Sequence, residues 1–282
     1  MLIPSHLDPI DYLIIGHITQ DITPEGLKPG GTVSFSGLTA KALGLKVGVI
    51  TSCTANRDFS FLGDIPVINI VSDVDTTFEN VNTPSGRIQY CYHKATTLEY
   101  SMIPAAWRST SIVHLAPIAK EIDPNIVMSL TDSMIMTTPQ GFLRTWDENG
   151  RVSLDEWPEV RYVLNKCSAA VLSIEDVQGN EDRIDEMATA ISLLVVTEGA
   201  QGARVYWNGD VRRFLPLKMV EVEPTGAGDI FAAAFFYRYY QTRDPWEAGR
   251  FATHLAAFSV TRVSMESIPT QAEIKSCLVD VL

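Results

Sequence analysis

The sequence predicts an α/β fold with a mostly parallel core sheet. Short apolar runs alternate with helix-length segments along most of the chain. Most of these runs are apolar throughout, as strands covered on both faces are. Glycines punctuate the joins, and 282 residues with 46 % hydrophobic content suffice for one large core.

The elements follow in order. Tyr12–Ile18, ending beside Gly16, reads as a first buried strand. Gly30-Gly31 breaks the chain, Val33–Leu43 has helical spacing, and Gly44 stops it. Val47–Ile50 and Val67–Val71 are the next strands. Thr76–Val81 and Arg87–His93 differ, because the second alternates polar and apolar residues as a strand exposed on one face does. With the turn signal Pro84-Ser85-Gly86 between them, they predict a small antiparallel insertion, a lid at roughly 74–98, with an ordinary edge hairpin as the alternative. Ser111–Leu115 and Ser133–Thr137 read as buried strands around a helix at Ile122–Leu130, capped by Asp123 with Pro124 in its first turn. Ala169–Ser173 and Leu193–Thr197 flank a crossover helix at Glu181–Ala190. Asn208-Gly209-Asp210 joins Ala203–Trp207 to Val211–Leu215 as a hairpin. The last third is helical: a helix carrying the apolar run Ile230–Phe236, then Pro245–Arg262, then Gln271–Leu282.

Pro224-Thr225-Gly226-Ala227-Gly228-Asp229 runs straight into the apolar Ile230–Phe236. Small residues before a buried helix leave backbone N–H groups bare at its positive end, which favours an anion. Asp229 sits inside that anion site. The simplest work for a carboxylate there is general base, taking a proton from a hydroxyl that attacks a phosphoryl group. The plainer reading is a helix start with a stabilising acidic residue.

A net charge of −12 and a pI near 4.8 argue against nucleic acid or an anionic membrane as the main partner. Cys53, Cys91, Cys167 and Cys277 are scattered without metal spacing and fit reduced thiols in a cytoplasmic protein. Met1–Ile10 shows no signal peptide, and no apolar run approaches the roughly 18 residues of a membrane span. There is no G-x-x-x-x-G-K-[ST], no G-x-G-x-x-G after the first strand and no G-x-S-x-G. His17, His93, His114 and His254 lack metal spacing and default to structural or surface roles. Arg144 offers a contact to a phosphate, with a surface salt bridge as the default, and Trp107, Trp146, Trp157 and Trp246 default to packing.

In this order the segments resemble the PfkB (ribokinase-like) family of carbohydrate and nucleoside kinases over nearly the whole chain. Gly16 followed by Asp21 resembles the first-strand segment whose aspartate grips substrate hydroxyls. Gly30-Gly31 resembles the turn lining the substrate pocket. Thr197-x-Gly199-x-x-Gly202 resembles the nucleotide-side turn, and Thr225–Asp229 the anion-hole and catalytic-base signature. The resemblance implies a three-layer α/β/α sandwich as a single domain over 1–282, with a small antiparallel β lid. It implies ATP as donor, its γ-phosphate on the N–H groups of Gly226, Ala227 and Gly228, with Asp229 as base and Asp21 on the acceptor. Adenine would lie between the turn after Thr197 and the C-terminal helices around His254, near Thr225. It also makes a homodimer through the lid plausible.

The chain departs from the family pattern in three places. Phe35 stands where Asn is frequent after the Gly-Gly turn. Ser173-Ile174-Glu175-Asp176 replaces the Asn-x-x-Glu element that organises Mg²⁺, leaving Glu175 and Asp176 as rivals for the metal. Glu223-Pro224 precedes the anion loop. Gly30-Gly31-Thr32-Val33-Ser34-Phe35 and Gln140-Gly141-Phe142-Leu143-Arg144 resemble the plant-type myo-inositol kinase branch, which implies a polyol or cyclitol acceptor at Gly30, Gly31, Ser34 and Phe35. No evident Lys/Arg cluster lies near the pocket segments, against a phosphorylated acceptor. A nucleoside kinase, or a nucleotide- or metabolite-binding protein without turnover, are the alternatives.

Overall fold

The computed structural model describes residues 7–83 and 86–278. Pro84 and Ser85 of the expected turn, residues 1–6 of the N-terminus and the last four residues of the expected terminal helix lie outside this range. Strands are β1 Tyr12–Ile15, β2 Thr19–Thr23, β3 Gly26–Gly30, β4 Val47–Cys53, β5 Val67–Val71, β6 Thr77–Thr83, β7 Gly86–His93, β8 Ile112–Leu115, β9 Met134–Thr137, β10 Arg144–Trp146, β11 Val152–Leu154, β12 Ala169–Ser173, β13 Leu193–Thr197, β14 Ala203–Trp207 and β15 Asp210–Phe214. Helices are α1 Thr32–Ala42, α2 Val160–Leu164, α3 Glu181–Ala190, α4 Ala227–Thr242, α5 Pro245–Ser259 and α6 Gln271–Cys277.

The large sheet has nine strands in the order β15-β14-β13-β12-β9-β8-β1-β4-β5. All neighbours are parallel except the pairs made by β14 and β15. Strand β1 shows why apolar runs fit here. Tyr12 and Ile14 face one core with α1, α4 and α5, while Leu13 and Ile15 face the other with α2 and α3. A strand buried on both faces has no use for alternation. Helix α4 buries the continuous run Ile230–Phe236. Phe231, Phe235 and Phe236 are nearly inaccessible, and each contributes about 2–3 kcal/mol by area.

Two expected elements take other forms. The segment after Asp123 is a short 3-10 helix, Pro124–Met128, rather than a helix reaching Leu130, and Asp123 caps it by accepting from Asn125 N at 3.0 Å. The small sheet is wider than the insertion read from sequence. Its order is β3-β2-β6-β7, so the hairpin after β1 joins the predicted pair. Pairing is antiparallel except between β2 and β6. Lys28-Pro29-Gly30 gave no strand signal, and the period-two pattern of β2 is too short to stand alone. The hairpin β10–β11 abuts β7 through a Tyr90–Arg151 bridge and shares a small core with Phe78 and Cys91.

Among the described residues, no helix is long and apolar enough to cross a membrane.

Candidate active site

Asp21, Asp176 and Asp229, with the Gly30-Gly31 turn, come together where loops leave the C-terminal ends of the parallel strands, the usual place for ligands in such sheets. Two helix N-termini meet there. Helix α4 starts at Gly226, whose φ of 81° is left-handed, and a Cβ at this position would strike the Phe35 ring. Helix α1 starts after Gly31, with φ of 85°. The helices are locked together by Ser36 Oγ donating to the Asp229 carbonyl at 2.8 Å. Neither start carries a side-chain cap, so first-turn N–H groups of both helices lack an intrahelical partner. Ala227 N is already engaged by Pro224 O at 3.1 Å. Gly228 faces open space, with nothing near the position of a Cβ.

Asp229 is half-buried in this cleft. Burial pushes its pKa from 3.8 to about 6, opposed by a hydrogen bond from Thr32, raised further by Asp176 and Asp21, and lowered by Arg144. Three carboxylates and one guanidinium therefore share one field. Asp21, on β2, accepts from Thr19 Oγ1 at 2.8 Å. Gly30 lies against its carboxylate, and a side chain there would displace it.

Asp176 caps the 3-10 helix Ile174–Val177. Ser173 N donates to Oδ2 at 2.8 Å and Gln140 Nε2 to Oδ1 at 2.6 Å. Burial raises its pKa, and Arg144 opposes this. Glu175 of the same turn is exposed. Among the described residues no group of three His, Cys, Asp or Glu could hold a metal by itself. One or two carboxylates suit Mg²⁺ that arrives on phosphate oxygens, so Glu175 and Asp176 fit that use alone.

Arg144 is not an isolated surface pair. It is half-buried, donates to Ile118 O at 3.2 Å and stands 5.7 Å over the Phe78 ring. Its neighbours were hidden because a lone Arg after an apolar turn carries no signal of what faces it. Phe35 is buried against Gly226, and Ser34 Oγ is spent on Gly30 O at 2.8 Å. Thr225 is exposed at the rim. Thr197 Oγ1 donates to Leu172 O at 3.4 Å, and the turn Gly199–Gln201 closes through Glu198 N to Gly202 O at 2.7 Å. His254 is half-buried on α5. Burial and Arg250 lower its pKa, and the charges it feels are those of Arg250 and Glu247, not the Asp229 group.

The sequence pattern of the pfkB family carbohydrate kinases matches residues 159–271. The chain is 24 % identical to the cytidine kinase of Thermococcus kodakarensis over 259 residues, 83 % of this chain and 90 % of that one. It is 50 % identical to the inositol 3-kinase of Zea mays over 106 residues, 36 % of this chain and 26 % of that enzyme. The fold matches a pyrophosphate-dependent kinase in the ribokinase family, solved with a pyrophosphate analog and myo-inositol, at TM-score 0.80 and 21 % identity, covering 95 % of this chain and all of the other.

Proposed function

We propose that this chain, a kinase of the pfkB family with the ribokinase fold, transfers the γ-phosphate of ATP to a hydroxyl of a polyol or cyclitol such as myo-inositol. The observation that carries this is Asp229. It is a carboxylate with a pKa near 6, held beside Asp21 and Arg144 where two uncapped helix starts meet.

Each group then has a role. Asp229, ionised above pH 6, takes the acceptor's proton as the oxygen attacks. Asp21 accepts from other acceptor hydroxyls and holds the attacking oxygen in line. The N–H groups of Gly226, Ala227 and Gly228 meet the transferring oxygens, with Ala227 released from Pro224 O as the phosphoryl group arrives. Arg144 offsets the charge that gathers between donor and acceptor. Thr197, Gly199, Gly202, Thr225 and His254 serve the nucleotide. Mg²⁺ neutralises phosphate charge when bound, and Glu175 and Asp176 would hold it. The small sheet acts as a lid that excludes water, a competing acceptor. Leu27, exposed on its edge strand β3, offers a second copy a place to pair.

Gly30-Gly31, buried Phe35 and the Gln140–Arg144 turn favour a compact ring bearing several hydroxyls. A nucleoside kinase is the second reading, favoured by the likeness to cytidine kinase over most of the chain.

The test is turnover of ATP, and separately of pyrophosphate, with myo-inositol, other polyols, sugars and nucleosides, alongside Asp229→Asn. One acceptor turned over by the native chain and not by the variant establishes the reading. Silence on every pair, with ATP still raising the melting temperature, overturns it in favour of a binding protein.

A further inference from the structure

The backbone passes between the large and small sheets at residues 16–18, 30–31, 72–76 and 94–98, and all four crossings meet at His17. The first is its own. At the second, Gly31 packs so closely on the His17 carbonyl that a Cβ would lie 2.8 Å from the oxygen. At the third, Thr76 Oγ1 lies 2.6 Å from His17 Nδ1. At the fourth, the Thr96 carbonyl lies 2.9 Å from Nε2. His17 is wholly buried.

The protons can be assigned by elimination. Thr96 O can only accept, so Nε2 carries the hydrogen. Burial keeps the ring neutral by lowering its pKa, although Glu121 opposes this, so Nδ1 is an acceptor and takes the Thr76 hydroxyl proton. Thr76 Oγ1 in turn accepts from Ala95 N at 2.9 Å. The chain Ala95 N–H, Thr76 O–H, His17 ring, Thr96 C=O ties the inbound and outbound ends of the β6–β7 hairpin to the end of β1. Glu121 completes the joint by accepting from His17 N at 3.0 Å.

Asp21 lies on the small sheet and Asp229 on the large-sheet side, so their separation depends on how the two sheets are held. We propose that His17 is a positioning residue: its imidazole pins the third and fourth crossings to the first, its carbonyl meets the second, and the joint sets Asp21 against Asp229. This deepens the kinase reading and rests on it for the roles of the two aspartates. His17 touches neither substrate nor reacting atoms. It acts through the angle of the small sheet, which a purely local packing residue would leave alone.

The test uses the full chain with His17→Leu, His17→Gln and Thr76→Val. Leu fills space without links, Gln keeps one acceptor and one donor, and Val removes the partner hydroxyl. The first readout is amide exchange, which needs no activity. Amides of β6 and β7 should exchange about tenfold faster or more in the Leu and Val variants, with β1, β4 and β8 unchanged. The second is steady-state kinetics. Acceptor KM should rise about fivefold or more while nucleotide affinity stays within about twofold. Gln should restore most of both, and the Leu/Val double variant should be no worse than either single one. A uniform rise in exchange, or a lowered melting temperature with native acceptor KM, overturns the proposal. If the native chain turns over no acceptor, the kinase reading fails while the exchange result still decides the joint. If His17→Leu does not fold, the Gln and Val variants decide it.

Discussion

The hydroxyl of Thr32, at the start of α1, hydrogen-bonds the carboxylate of Asp229 in the first turn of α4. One helix start thus holds the acid that crowns another. Both positive helix ends favour the ionised acid, yet burial beside Asp176 and Asp21 outweighs them, and the pKa rises to about 6.

That balance predicts a stability effect. A carboxyl that binds its proton more tightly folded than unfolded favours the fold at low pH. The advantage is lost as pH rises from the unfolded value of 3.8 through about 6. At pH 7 the ionised group costs up to about 3 kcal/mol at 1.36 kcal/mol per unit, less where water reaches it. Asp229→Asn, which keeps an acceptor for Thr32, should therefore melt higher than the native chain at pH 7.5 and abolish turnover. The difference in melting temperature should shrink toward pH 4. Calorimetry at several pH values checks it.

With Asp229 as the proposed base, the same pKa sets an expected pH–rate profile. A base works only when ionised, so kcat/KM for the acceptor should rise tenfold per pH unit below about 6 and level above it. A pH–rate profile of the native enzyme shows whether the acid limb falls there.

Gly226 is fixed on two counts, a left-handed φ of 81° and the Phe35 ring where a Cβ would go. Gly226→Ala should lose about 2 kcal/mol or more, combining left-handed strain with the clash. Adding Phe35→Leu should recover the clash and leave the strain. Denaturant melts of the single and double variants separate the two parts. Phosphoryl transfer should fall in both, because the N–H groups at the start of α4 shift with the turn.

Part of the candidate site was legible in the sequence, because small residues running straight into an apolar segment mark a bare helix start. Gly226, Gly228 and Asp229 were singled out that way and Gly30-Gly31 as a chain break, and the structure brings the two helix starts together. The mostly parallel character of the large sheet followed from fully apolar runs such as Leu193–Thr197, whereas the order of its nine strands is set by pairings that no single run carries. What stayed hidden depends on distant partners. Thr19–Gly30 carries too short a pattern to read as strand, and becomes sheet by folding into the β2–β3 hairpin that pairs with β6. Arg144 gains meaning from Asp176 and Asp229, both far downstream in the chain. Glu121 looks like any surface acid, yet it is wholly buried, and only the fold supplies the amides that make burial tolerable.

The charge of Arg144 opposes the rise that burial causes in the pKa values of both Asp229 and Asp176. Arg144→Met keeps the length of the stem and removes the charge. The acid limb of the pH–rate profile should then move to higher pH, by about half a unit or more. Arg144→Lys keeps charge and should move it less, while still losing the planar contact above Phe78 and the bond to Ile118 O. A limb that stays in place in the Met variant would remove Arg144 from the field of the base.

Glu121 accepts from three backbone N–H groups: His17 at 3.0 Å, Ile118 at 2.9 Å to both oxygens, and Ala119 at 2.7 Å. These amides belong to the loops after β1 and β8, which border the candidate site. Glu121→Gln preserves shape but turns one oxygen into an NH₂ group facing N–H donors. A buried donor against donors forfeits its own bond and strands the others, at about 1–3 kcal/mol for each group left without a partner. The variant should therefore be destabilised more than its conservative appearance suggests, with the loss read in denaturant midpoints. Glu121→Asp keeps the charge and falls short of the far loop. It should cost stability too, and its residual loss of turnover should exceed that of a surface control such as Glu148→Gln.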